Sequence, residues 1–316
     1  MASLPRMYHA LLAAFAGAVI AVPMSGMARP AAVPAPAPAH AGPLPPATAG
    51  ALADRYAASR EDIRAAERMA SAHGDLTRAA ALRAMAEPDR SFLTFDGRDG
   101  GRTVEVFGDL AQAERIAVLV PGSDTDLDRY GRLESAAAAL VGQLGDKSAV
   151  IAWLGYATPS TISLGVLTTG RADEATGGLR RFVEELRAVK PAARTSLVCH
   201  SYGTVVCARA AADMAVSDIV LLGSPGTGYD TVAELHTPAT VWAGRGATDW
   251  IANVPHFRLR FMVTTIGFGP DPLSPGFGAR VFDAGTGGHS DYLKPGSSSL
   301  AGIARIISGD THDTRS

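Results

Sequence analysis

The stretch from Ser196 to Cys207 constrains what this chain can fold into more than any other. It begins as an apolar run suited to a buried strand, turns at His200, Ser201 and Tyr202, and continues into Ala-rich sequence suited to a helix. A serine on a strand–turn–helix corner, with glycine two residues later, is the sequence form of a nucleophile elbow. Gly203 lets the new helix approach the strand closely, and the tight turn exposes the Ser201 hydroxyl. Cys199 stands where the first glycine of G-x-S-x-G belongs, so the motif is incomplete and needs support from the rest of the chain. The plainer alternative is a serine that only caps a helix.

The surrounding texture supplies that support. Phe92 to Phe95 and Thr103 to Phe107, separated by Asp96, Gly97, Gly100 and Gly101, read as an antiparallel hairpin. Buried strands follow at Arg115–Val120, Ala149–Leu154, Thr195–His200, Asp218–Leu222, Ala239–Ala243 and Ala279–Phe282. Helices are expected over Tyr130–Leu144, Gly178–Val189, Val205–Met214 and Leu300–Ile307. This alternation predicts an α/β architecture, a mostly parallel sheet with an antiparallel edge and helices on both faces. Ligands in such sheets bind beyond the carboxyl ends of the strands, so chemical residues are sought there.

Ser201 is the candidate nucleophile, and its hydroxyl needs an adjacent base. His289 is the candidate base, in the glycine-rich segment Gly285 to Tyr292 beyond the last strand. Among the rival histidines, His200 belongs to the elbow and should point away from Ser201, His236 precedes the candidate acid, and His256 follows no strand. Asp249 is the candidate acid, set beyond the strand Thr240–Ala243 by the turn Gly244–Thr248, with Asp230 and Glu234 as runners-up. Its role would be to hold the histidine tautomer and stabilise the imidazolium. The chain order Ser201, Asp249, His289 is that of the α/β-hydrolase triad. For the oxyanion hole, one N–H comes from Tyr202, after the nucleophile, and one from the loop after Val118–Val120. Ser123 is the candidate there and Gly122 the alternative; Pro121 has no N–H.

With these residues placed, the chain resembles a family of secreted bacterial α/β-hydrolases catalogued as a domain of unknown function. The resemblance spans Tyr56 to Gly309 and rests on Arg60–Glu67, Val120–Thr125, Cys199–Gly203, Thr248–Ile251 and Gly288–Leu293. It implies the α/β-hydrolase fold and carries the triad onto Ser201, Asp249 and His289, but implies no substrate.

The expected reaction is cleavage of a carboxylic ester, esterase- or lipase-like, through an acyl-enzyme and with no cofactor or metal. A peptidase or amidase on the same triad is an alternative, as is a silent hydrolase fold used for binding. The formal net charge of −2 and the lack of a basic run give no reason to expect nucleic acid, leaving a small ester or lipid-like molecule as the expected partner. Two segments, Tyr156–Gly177 and Ile251–Gly278, carry apolar residues that either cap the site or merely cover the sheet. Cys199 and Cys207 are the only cysteines; they form a disulfide or two buried thiols, and the sequence leaves both open.

The N-terminus reads as a signal peptide, residues 1–28. Arg6 precedes the apolar run Ala10–Val22, and Gly26, Met27 and Ala28 offer a cleavage site; Ala39, His40 and Ala41 offer another, farther away. An uncleaved membrane anchor is the alternative. The expectation is a secreted, extracellular protein with no stable membrane insertion after cleavage. A Pro/Ala-rich linker at 29–49 should be extended and coreless. Two helices at 50–90 follow, ended by His73–Gly74 and Pro88 with Asp75 capping the second; they pack on the main domain or act as a pro-region. The hydrolase domain covers 91–309 and a disordered tail 310–316.

Overall fold

Strands with side chains buried on both faces must be covered on both sides, and four largely apolar runs set the centre of the protein. They are β3 (Arg115–Val120), β4 (Ser148–Leu154), β5 (Arg194–His200) and β6 (Asp218–Leu222); β4 and β6 are buried along their whole length. The computed structural model describes residues 33–310, apart from 41, 162, 164–167, 257 and 261–264. The expected signal peptide and residues 311–316 lie outside the described residues. With β1 (Phe92–Asp96), β2 (Arg102–Gly108), β7 (Thr240–Gly244) and β10 (Arg280–Val281), the four runs form an eight-stranded sheet ordered β1-β2-β4-β3-β5-β6-β7-β10. The β1/β2 and β2/β4 pairs are antiparallel and every other pair is parallel, so the expected hairpin and parallel sheet are both present. A separate ribbon pairs β8 (Leu259–Arg260) with β9 (Thr265–Ile266).

Side chains alternate across the sheet with period two, and each face carries its own helices. Val118, Leu197, Cys199 and Leu221 pack with α4 (Gly170–Val189) and α5 (Gly203–Ala210). Leu119, Val198, Val220 and Leu222 pack with α3 (Gly131–Leu144) and α6 (Ser298–Ser308). Helix α4 starts eight residues before the expected Gly178, because its first turns bury the small Ala172 and Ala175 rather than large apolar residues. Helix α5 starts at Gly203 and stops at Ala210, short of the expected Met214, and Asp213 beyond it takes a positive φ of 56°.

Two helices precede the sheet, as expected: α1 (Ala49–His73), ended by Gly74 at φ 86°, and α2 (Leu76–Met85), capped by Asp75. Arg78 of α2 donates two hydrogen bonds, 2.6 and 3.0 Å, to Asp128 in the turn leading to α3. Arg90 does the same to the buried Glu105 of β2 at 2.6 and 2.7 Å; removing one partner of so buried a pair costs about 3–5 kcal/mol. The proline-rich segment departs from the expectation of a coreless linker. Leu44 is buried in the core, its N–H donates to Glu185 at 3.0 Å, and the Pro43 carbonyl accepts from Arg55 at 2.8 Å. Proline disfavours helix and sheet there but leaves carbonyls and apolar side chains free to dock.

Candidate active site

The corner after β5 shows why the sequence places glycines where it does. Ser201 sits at φ 53°, a region that residues with a Cβ seldom occupy, so the turn is held rather than relaxed. Its N–H donates to the Leu222 carbonyl of β6 at 2.9 Å, and its carbonyl accepts from Thr204 Oγ1 at 2.7 Å. A Cβ on Gly203 would lie 2.5 Å from the Val120 carbonyl oxygen, and one on Gly122 would lie 2.6 Å from Ser201 Cβ. One on Gly223, after β6, would meet Asp249 Oδ2 at 2.8 Å and the His289 ring at 3.1 Å. Cys199 and Cys207 are joined by a disulfide, with Cα atoms 6.5 Å apart and both residues fully buried. The bridge ties β5 to α5 on either side of the serine.

Ser201, His289 and Asp249 come together although 88 and 40 residues separate the successive partners. Ser201 Oγ lies 2.9 Å from His289 Nε2, and His289 Nδ1 lies 2.9 and 3.0 Å from the two Asp249 oxygens. A carboxylate only accepts, so Nδ1 carries the proton and Nε2 is left to accept from the serine hydroxyl. Asp249 caps the short helical turn Trp250–Asn253, and its Oδ1 accepts from the Ile251 N–H at 2.9 Å. Burial acts to raise the Asp249 carboxyl, but hydrogen bonds from His289, Tyr292 and Ile251 outweigh it and hold it below the usual carboxylate range. Asp230, a runner-up for this role, instead accepts from Arg258 at 2.5 Å.

The expected oxyanion loop lies beside this line. Ser123 and Gly122 share a cavity wall with His289, and Gly122 approaches Ser201 more closely than its neighbours allow a side chain to do. Among the described residues, neither the Ser123 N–H nor the Tyr202 N–H has an acceptor within the protein. The Tyr202 side chain turns away into the core, where its hydroxyl donates to the Thr168 carbonyl at 2.7 Å. Of the two segments read as caps, residues 170–177 belong to helix α4, and Phe268 is buried with its ring edge-on to Tyr202 at 5.8 Å. Ile162, Leu164, Val166, Leu167, Phe257, Phe261 and Met262 lie outside the described residues.

The profile of the family described as alpha/beta hydrolase matches residues 96–259. The chain belongs to that family. It is 32% identical over 210 residues to an uncharacterized protein of Mycobacterium tuberculosis strain H37Rv, covering 58% of this chain and 79% of that protein. A second uncharacterized protein of the same strain is 29% identical over 259 residues, 69% of this chain and 38% of that protein. Solved structures similar in fold include an α/β serine hydrolase from Xanthomonas campestris (17% identity, 71% of this chain and 95% of that one, TM-score 0.45). The esterase LipW from Mycobacterium marinum is another (14% identity, 85% and 99% covered, TM-score 0.44).

This α/β hydrolase also surrounds its Ser–His–Asp line with residues for which the sequence alone suggests no chemical role. Tyr292, buried, donates its hydroxyl to Asp249 Oδ2 in a short hydrogen bond and accepts from the Gly246 N–H at 3.2 Å. Burial, together with that carboxylate, pushes the Tyr292 phenol up, so it stays a donor. His200 Nε2 lies 2.7 Å from the His289 carbonyl oxygen and must therefore be the N–H donor. Burial and the neighbouring His289 push the His200 imidazole down to about 4, which keeps it neutral near pH 7. The half-exposed Trp250 ring lies 4.7 Å from the His289 ring and shields it. All three fall within motifs that carry the family resemblance, and adjacency to Asp249, Ser201 and His289 was the available signal.

Proposed function

We propose that this chain is a secreted serine hydrolase that cleaves carboxylic esters, with Ser201 as nucleophile, His289 as general base and Asp249 as the orienting acid. The unbroken hydrogen-bond line from Ser201 Oγ through both His289 nitrogens to Asp249 carries the reading. As Ser201 attacks the ester carbonyl, its proton passes to His289 Nε2, and Asp249 stabilises the imidazolium that forms. The oxyanion is held by the Tyr202 N–H and the Ser123 N–H, both without acceptors among the described residues. His289 then protonates the leaving alcohol, and the acyl-enzyme remains on Ser201. Water deprotonated by His289 attacks that acyl group, the Ser201–acyl bond breaks with the His289 proton passing to Ser201 Oγ, and the acid is released.

Residues 1–28 act as the signal peptide on this reading and 91–309 as the catalytic domain, with helices at 50–90 packed on it and 29–49 and 310–316 flanking. A disulfide beside the nucleophile is compatible with an oxidising compartment, which supports export. Among the described residues no helix is long and apolar enough to cross a membrane.

The test is labelling with a fluorophosphonate probe, with Ser201→Ala as the control. Labelling of the wild type and its loss in the variant is the expected result; a folded wild type that does not label overturns the reading. A series of para-nitrophenyl esters run beside the matching anilides then separates esterase from amidase.

A further inference from the structure

One wall of the active site carries a charge that the Ser–His–Asp chemistry does not use. A cavity of about 90 Å³ opens beside His289 and the Gly122–Ser123 turn, and Leu133 and Leu293 line it. Its wall has no carboxylate and one formally cationic side chain, Arg132, exposed in the first turn of α3. Arg132 has no ion-pair partner among the described residues, and the neighbouring acids are already committed. Asp124 faces Arg129, Asp128 holds Arg78, Glu134 faces Arg90, and Asp291 holds Lys294. Asp126 accepts from the backbone of the turn before α3. A guanidinium without an ion-pair partner, on the wall of a cavity that also holds His289 and the Gly122–Ser123 turn, suits a substrate with an anionic end and a short apolar span.

Resting on the hydrolase reading above, we infer that the substrate is an ester bearing a carboxylate a few atoms from its scissile carbonyl, and that Arg132 receives that carboxylate. The planar fork of arginine matches a carboxylate with two parallel hydrogen bonds. The cavity of about 90 Å³ has room for a short chain between the Gly122–Ser123 turn and Arg132. Arg132 is then a specificity-determining residue, which binds the far end of the substrate and leaves the bond-breaking steps to Ser201 and His289.

The test compares two para-nitrophenyl esters of equal chain length, the half-ester of glutaric acid and the ester of pentanoic acid, with spontaneous hydrolysis subtracted. The kcat/KM ratio of the anionic to the neutral ester is measured for the wild type, Arg132→Ala, Arg132→Glu and the control Arg187→Ala, an exposed arginine of α4. The wild type should favour the glutarate. The ratio should fall about fivefold in Arg132→Ala, the upper range for an exposed ion pair. It should fall further in Arg132→Glu, stay at the wild-type value in Arg187→Ala, and shrink as salt is added. A wild type that labels with fluorophosphonate and cleaves the pentanoate, with the same ratio in Arg132→Ala, overturns this inference and leaves the hydrolase reading standing. A folded wild type that neither labels nor cleaves either ester overturns the hydrolase reading, and the carboxylate site falls with it.

Discussion

Separating Cys199 from Cys207 should cost stability in a pattern that only a covalent bridge produces. The two cysteines are eight residues apart, and constraining an unfolded loop of that length is worth about 2.5 kcal/mol at 25 °C on the chain-entropy relation. For a protein of 316 residues that is a fall of about 4 °C in Tm. Cys199→Ala and Cys207→Ala each break the whole bridge, so each single variant loses the full amount plus its own buried sulfur packing. The double variant loses the bridge only once. Urea unfolding of the wild type, both single variants and the double should therefore give strongly non-additive losses, with a coupling of about 2.5 kcal/mol. The bridge takes up both cysteines, so thiol titration of the unfolded, unreduced wild type should find no free thiol; both residues are fully buried, so reductant should act only once the protein opens. Single-variant losses that add to within about 0.5 kcal/mol, or two titratable thiols, would refute the reasoning.

Tyr292→Phe removes one of the hydrogen bonds holding the Asp249 carboxyl low, so that carboxyl moves up; kcat/KM should drop by about fivefold to thirtyfold, with the acid limb of its pH profile displaced to higher pH. An unmoved acid limb would count against the role given to Tyr292. Gly203→Ala should abolish soluble, folded expression, because its Cβ would meet backbone oxygens of Val120 and Pro121 at 2.5 and 2.6 Å; a folded variant with wild-type melting contradicts that packing. His200 is pushed from 6.5 to about 4 in the folded state, so the unfolded chain binds the extra proton first. Its contribution is present in full above pH 6.5 and is lost as pH falls toward 4, a decline in urea stability that His200→Gln should blunt.

How much of this was legible beforehand depended on the range of the interaction that fixed each feature. Apolar runs such as Ile116 to Val120 announce buried strands because every position faces a core, and the Ser201 corner is written in the twelve consecutive residues from Ser196 to Cys207. Helix α4 begins earlier than apolar periodicity predicts because its first turns pack through alanines, whose small side chains leave no periodic mark. The burial of Leu44 leaves no sign in the sequence because proline removes secondary structure without removing burial. Within the site, chain order and strand ends pointed to Ser201, Asp249 and His289, which the structure places within hydrogen-bond distance. The parts of Tyr292 and His200 depend on which atom meets which through space, and adjacency in a motif does not state that.

The crowding around Ser201 also decides where this protein can change. Gly122, Gly203 and Gly223 each lack room for a single methyl group, facing the serine, the end of β3 and the Asp249–His289 pair respectively. Variation in the nucleophile corner is therefore closed at its nearest backbone positions, and a new substrate preference has to be acquired on the cavity wall. Arg132, Leu133 and Leu293 lie on that wall and outside the hydrogen-bond line. Libraries aimed at altered selectivity should be built there, with the three glycines held fixed.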